Sequence, residues 1–172
     1  MRKHGTKYIS RSGWWYWLAG LALIIIDQAA KYWASSALSR RPLDLGFVAF
    51  DYATNTGSSF SMFQGANSIL IWVSVLVIGG LIYWYDAMVE GTSLWQKISY
   101  TLIVAGILGN LVDRVAWGSV IDFIDLRWWP IFNVADSCLV VGVVIYVISE
   151  LAHDRNNSNG LVSKGLRGKK RK

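Results

Sequence analysis

Four stretches of this 172-residue chain are apolar over about the length of a membrane-crossing helix, and short segments in which polar residues cluster separate them. The runs are Trp14 to Ala34, Asn67 to Tyr85, Leu94 to Val112 and Val134 to Ala152. Each is close to the ~20 residues that a helix needs to cross a hydrocarbon core of about 30 Å. The pattern predicts an integral membrane α-helical protein with four transmembrane helices. The first run follows basic residues and so looks like a secretion signal, with small residues at 34–37 as a tempting cleavage site. Asp27 and Lys31 fall where such a signal should hand over to that site, so the run reads as a retained first span.

Two segments lie between spans on one side of the membrane, Ser35 to Ala66 and Asp113 to Asn133. Leu43 to Tyr52 is rich in Phe, Val and Tyr, with Leu43, Leu45 and Phe47 in alternation, and Ser58 to Phe63 is a second β-like stretch with Gly57 available for a turn. A small β-rich element on the outer (periplasmic) side is expected, with the stretch around Asp122 taken as outer loop. No internal repeat is visible. Residues 1–155 form one four-span unit, and 156–172, polar and then basic, read as a disordered cytoplasmic tail.

Composition fits this map. A hydrophobic content of 53% with only 16% charged residues is too apolar for a soluble domain. The net charge of +6 sits mostly in two tails, Arg2 to Arg11 and Lys164 to Lys172. Basic residues flanking apolar spans hold both termini on the cytoplasmic face, and an even number of spans agrees with that. In this setting the tails do not call for a nucleic-acid partner. Trp14, Trp15, Trp84 and Trp95 then mark the cytoplasmic boundary, and Trp33, Trp117, Trp128 and Trp129 the outer one. Cys138 is the single cysteine, so no internal disulfide or multi-cysteine metal site can form, and its apolar neighbours suit a small buried side chain.

The candidate chemistry gathers at the outer boundary. Asp27 and Lys31 stand four apart on one helical face in the favourable order for an ion pair. Gly106, Asn110, Asp113 and Arg114 share a face of the third span. There the glycine admits a close partner, the amide offers donors and acceptors, and Arg114 can pair with Asp113 or hold a backbone carbonyl. Asp122 and Asp136 are fourteen positions apart, one after the third span and one opening the fourth. If the segment between folds back, the two carboxyls share one proton, the state in which one draws a proton from water while the other hydrogen-bonds a scissile carbonyl. The alternative gives Asp122 a salt bridge with Arg127 and makes Asp136 a helix cap. Asp44, Asp51 and Asp125 read as solvated acids or partners for Arg40, Arg41 and Arg127, and Asn55-Thr56-Gly57 is by itself a turn signature.

In combination these segments resemble the lipoprotein signal peptidase (signal peptidase II) family. The resemblance runs in family order through Asp27-Gln28 with Lys31, Asn55-Thr56-Gly57, Gly109 to Arg114, Val120 to Phe123 and Phe132 to Asp136. It implies a membrane-embedded aspartic endopeptidase with Asp122 and Asp136 as the catalytic pair. Asp27, Lys31, Asn55, Gly106, Asn110, Arg114, Asn133 and Ala135 match positions that bind substrate or support the site. It further implies no cofactor and no metal. The substrate would be a diacylglyceryl-modified prolipoprotein, cut just before the lipidated cysteine in the bacterial cytoplasmic (inner) membrane, with the active site toward the outer leaflet. Membrane lipids would be the other partners of a chain acting as a monomer. Ser58 and Ser59 depart from the small apolar pair usual in the family. Two rival readings are a small transporter or proton-relay subunit, which predicts charges spread across bilayer depth, and a non-catalytic assembly protein whose polar clusters only lock helices together.

Overall fold

The computed structural model describes residues 14–57, 66–85 and 93–169, with side chains described as far as Ala152. The β-like stretch expected at 58–63 lies outside these residues, as do the chain's first thirteen and last three. Among the described residues four α-helices form: α1 (Trp14–Trp33), α2 (Ala66–Tyr83), α3 (Leu94–Trp117) and α4 (Val134–Lys169). A π-helical turn, Ala34–Leu38, extends α1. Three strands, β1 (Leu43–Asp44), β2 (Ala49–Asn55) and β3 (Val120–Asp125), form one antiparallel sheet in that order.

Among the described residues three helical stretches are long and apolar enough to cross a membrane: Ala66–Tyr83, Leu94–Trp117 and Val134–Ala152. α1, at 20 residues, is as long but carries Asp27, Gln28 and Lys31. Asp27 and Lys31 are its two buried residues, while Leu18, Leu21, Ile25 and Ile26 stay exposed on the other side. An apolar outer face over a charged inner face is the reverse of a water-soluble helix, and it suits a helix that meets lipid.

α3 lies at the centre of the bundle, packed on α1, α2 and α4. Its start is fixed by a capping box in which the Ser93 hydroxyl accepts from Gln96 N and the Gln96 side chain accepts from Ser93 N. Gly118, at φ 75°, takes the left-handed cap that ends it. Ser99, Ile103, Gly106, Asn110 and Asp113 recur at spacings of three and four along its buried face. A Cβ on Gly106 would lie 2.5 Å from the carbonyl oxygen of Ala135 and 2.9 Å from Leu139 N, so α4 approaches α3 to backbone contact there.

One segment differs from the sequence expectation. Val120 to Asp125 is a strand, not loop: β3 pairs with β2 along Asn55↔Val120, Thr54↔Ile121 and Ala53↔Asp122, with an irregularity between Phe50 and Ala53. Its run of Val, Ile, Asp, Phe, Ile, Asp lacks strict alternation because both of its faces are covered, one by α1 and one by the site. α4 runs on to Lys169, beyond the last described side chain at Ala152. The sheet is docked by Trp33, whose ring meets Phe50 and Phe123 edge-on at 6.2 and 6.4 Å, above a buried cluster of Ala34, Leu38 and Phe123.

Candidate active site

The segment after β3 doubles back. Ile124 N donates to Phe132 O at 2.8 Å and Phe132 N to Ile124 O at 3.1 Å, so the chain enters α4 alongside the strand it has just left. This closure sets Asn133 and Asp136 beside Asp122. Asn133 caps α4: its Oδ1 accepts from Asp136 N at 2.8 Å, while Asp136 Oδ2 accepts from Asn133 N at 3.2 Å. Asp136 is therefore the third-position partner in a capping box rather than the cap itself. Its second oxygen, Oδ1, accepts from Asn110 Nδ2 of α3 at 2.7 Å.

Asp122 receives donors at both oxygens as well. Asn133 Nδ2 reaches Oδ1 at 2.7 Å, and Asn55 Nδ2 reaches Oδ2 at 3.0 Å across the β2–β3 ladder. Asn55 and Asp122 are diagonal neighbours on one sheet face, because Asn55 pairs with Val120 two residues before Asp122. Asp122 is buried, at 3% exposure, while Asp136 is half-buried. Burial pushes the Asp122 carboxyl above the usual carboxylate range, and Asp136 repels its charge in the same direction. The amides of Asn55 and Asn133, with Lys31, pull the other way.

Behind the two acids lies a buried charge cluster. Lys31 Nζ contacts Asp27 Oδ2 at 2.8 Å, Asp113 Oδ2 at 3.0 Å and Asn110 Oδ1 at 3.1 Å, all four residues being more than nine-tenths buried. Asp27 also reaches α4, its Oδ1 accepting from Ala135 N at 2.8 Å, so a residue of α1 satisfies one of the orphan N–H groups of that helix start. Asp113 Oδ1 accepts from Gln28 Nε2 at 2.8 Å, and Oδ2 from Ile121 N at 3.1 Å. The isolated Asp27–Lys31 pair of the sequence is thus two members of a triad, and Asp113 pairs with Lys31 instead of with its neighbour Arg114. Adjacent helical residues point about 100° apart, which rules that pair out.

Arg114 points elsewhere. It lies near enough to Asp136, Asp122 and Asp113 to feel their charge, and its buried Nε has no hydrogen-bond partner. A Cβ on Gly106 would run into the Ala135 carbonyl oxygen, and one on Gly109 would meet Asp27 Oδ2 at 2.9 Å. Every residue expected in the site therefore falls in or against one network. Gln28 and Asp113 also belong to it. From the residues alone Asp113 is a possible Arg114 partner, and both Asp113 and Gln28 lie in the segments that carry the resemblance without being assigned to the site. Arg127, the proposed partner of Asp122, pairs instead with Asp44 at 2.6 Å and Asp125 at 3.7 Å. Cys138 is buried in α4.

Two cavities flank the cluster. One, of about 340 Å³, is an apolar trough walled by Trp128, Trp129, Phe132, Val140 and Val141, with Asp136 and Ser137 among its lining. The other, of about 610 Å³, has Gln28, Lys31 and Asp113 in its wall, with Tyr32, Tyr52 and Trp117.

Comparison with known proteins agrees with this geometry. Residues 19–152 match the family model described as signal peptidase (SPase) II. The chain is 40% identical over 146 residues to the lipoprotein signal peptidase of Thermosynechococcus vestitus, covering 79% of this chain and 89% of that protein. With that of Thermodesulfovibrio yellowstonii it shares 41% over 136 residues, covering 75% and 89%. A solved bacterial membrane enzyme, determined by the in meso method, superposes with a TM-score of 0.72 at 27% identity, covering 82% of this chain and 90% of that one. With the family model matched over residues 19–152 and relatives about 40% identical over most of their length, the chain belongs to the signal peptidase II family.

Proposed function

We propose that this protein is a membrane-embedded aspartic endopeptidase that removes the signal peptide from diacylglyceryl-modified prolipoproteins, cutting just before the lipidated cysteine. The observation that carries the reading is the pairing of Asp122 and Asp136 through Asn133, with an N–H donor on each of the four carboxylate oxygens. Asp122, the buried acid pushed toward its neutral form, carries the proton. Asp136 stands at a helix N-terminus, where the dipole favours negative charge.

In hydrolysis Asp136 takes a proton from water as the water oxygen bonds to the scissile carbonyl carbon. Asp122 gives its proton to the carbonyl oxygen. Collapse returns a proton to Asp122 and breaks the C–N bond, while the proton on Asp136 leaves with the amine of the lipidated cysteine. Arg114, with an unpartnered Nε, is placed to hold a substrate carbonyl. The apolar trough beside Asp136 suits acyl chains better than peptide. Leu126, Trp128, Trp129, Phe132, Val140 and Val141 line it with apolar side chains, and the Ser137 hydroxyl is already donated to Asn133 O.

α1 is the fourth span on this reading, with both termini cytoplasmic, the sheet outside and the site toward the outer leaflet. Within the four described helices, up to Ala152, Lys97 and Glu150 sit near one end and Asp27, Lys31, Asp113, Arg114 and Asp136 near the other, with no charge between. A proton relay across the bilayer needs stations at intermediate depth, so the distribution favours a site at one surface. The test is mass spectrometry of products from a prolipoprotein supplied with and without its diacylglyceryl group. The reading expects a new N-terminus at the cysteine from the lipidated form only. Equal cleavage of both forms, or a cut elsewhere, contradicts it.

A further inference from the structure

Asn110 serves Asp136 only while its nitrogen, and not its oxygen, faces the carboxylate. A side-chain amide fits either way round, so something must choose. We propose that Lys31 is a positioning residue that locks the Asn110 amide, holding its oxygen toward α1 and so aiming its nitrogen at Asp136. This rests on the reading of Asp122 and Asp136 as the reacting pair.

The argument is one of donor counting. A lysine ammonium has three donors and no acceptor. Lys31 uses all three, on Asp27 Oδ2, Asp113 Oδ2 and Asn110 Oδ1. The Asn110 atom facing Lys31 must therefore be oxygen, and Nδ2 is left for Asp136 at 2.7 Å. Asn133 reinforces the choice, since its own amide is fixed by the backbone N–H of Asp136. Its two hydrogens, however, are spread over Asp122 Oδ1 at 2.7 Å, Asn110 Oδ1 at 3.1 Å and Ile121 O at 3.3 Å. Without the ammonium, Asp27 and Asp113 would face the Asn110 oxygen across the vacated space, and two carboxylates attract the NH2 end. The amide then turns, and a carbonyl oxygen meets Asp136. The two acids beside Lys31 thus require its charge, and that charge sets the donor on the catalytic side.

Asp136 faces Asp122 of β3 and Arg114 of α3, with Asp113 of α3 and Lys31 and Asp27 of α1 behind Asn110. Loss of the Asn110 donor disfavours the ionised form of the dyad, which works against turnover at low pH. The acid limb of the kcat/KM profile of Lys31→Ala should move upward by about one unit, the worth of one charge-assisted hydrogen bond. KM should stay near wild type while kcat falls. Because Lys31 lines the 610 Å³ cavity, a small amine can reach the vacated place. Propylammonium should return the limb toward its wild-type position, and propanol should not.

An acid limb in Lys31→Ala that coincides with wild type overturns the proposal, whatever happens to the rate. If stranding Asp27 and Asp113 prevents folding, the charge-balanced Asp27→Asn/Lys31→Ala pair carries the same test, with the same shift expected and coincidence again overturning it. Asp122→Asn and Asp136→Asn, assayed alongside, separate the two levels. If either remains active the aspartic reading fails. If both are dead and the Lys31 limb has not moved, only the positioning role fails.

Discussion

Replacing Gly106 with alanine tests how finely the α3–α4 contact sets the reacting geometry. The added Cβ would lie 2.5 Å from the Ala135 carbonyl oxygen, 2.9 Å from Leu139 N and 3.1 Å from Leu139 Cβ. Two of these are backbone atoms of α4, which no rotamer change can move aside. Ordinary contact begins at 3.4 Å, so relief requires α4 to retreat by up to 0.9 Å at a point one residue from Asp136. Overpacking of this kind costs about 1–3 kcal/mol. A misplacement of ~1 Å at a reacting group costs on the order of 100-fold in rate. Turnover of a lipidated fluorogenic peptide in nanodiscs, normalised to folded enzyme, reads the second effect, and thermal unfolding followed by tryptophan emission reads the first.

Two controls isolate the cause. Gly142→Ala makes a like clash, 2.9 Å from Ile103 Cγ1 and 3.0 Å from Ile103 N, but six residues, about 9 Å, along α4 from Asp136. It should destabilise as Gly106→Ala does while losing far less activity. Gly79→Ala meets nothing within 4 Å and should be neutral, or more stable by up to ~1 kcal/mol. Wild-type turnover in Gly106→Ala refutes the reasoning. So does an equal loss in Gly142→Ala, which would trace the defect to bundle stability instead of the placement of Asp136.

Asp122 binds its proton more tightly folded than unfolded, so between its ordinary value of 3.8 and its raised one wild-type stability should fall as pH rises. Thermal midpoints measured from pH 3.5 to 7 should show that slope flattened in Asp122→Asn, and matching slopes in both proteins would contradict it. Asn55→Ala removes the exposed donor to Asp122 Oδ2 and should lower kcat/KM by about tenfold, or ~1.4 kcal/mol, with little change in unfolding temperature. Unchanged kinetics would remove Asn55 from the site.

How much of this could be read from the chain depends on the range of the interaction. The helices were legible because lipid imposes a length and an apolar composition that no tertiary contact alters. The i, i+4 pair Asp27–Lys31 was legible because helical geometry is local. Its third member was not, because Asp113 lies 82 residues further on and nothing near it marks it as a partner of Lys31. Strand β3 escaped notice for a related reason. Its burial on both faces erases the alternation by which a half-buried strand is recognised, and its partner β2 is 65 residues earlier in the register Asn55↔Val120. Asp136 as a capping residue and Asp136 as a catalytic acid seemed to be competing readings. The fold makes them compatible, since the carboxylate that closes the α4 capping box has its other oxygen on Asn110.

The central claim is that Asp122 and Asp136 act as one unit. The direct measurement is single-turnover cleavage of a diacylglyceryl-modified prolipoprotein by wild type, Asp122→Asn, Asp136→Asn and the double variant, each verified as folded in the membrane. Acting as a unit, either single change should abolish cleavage by several orders of magnitude, and the double change should cost no more than either alone. A folded single variant that keeps wild-type turnover, or losses that multiply in the double variant, would contradict it.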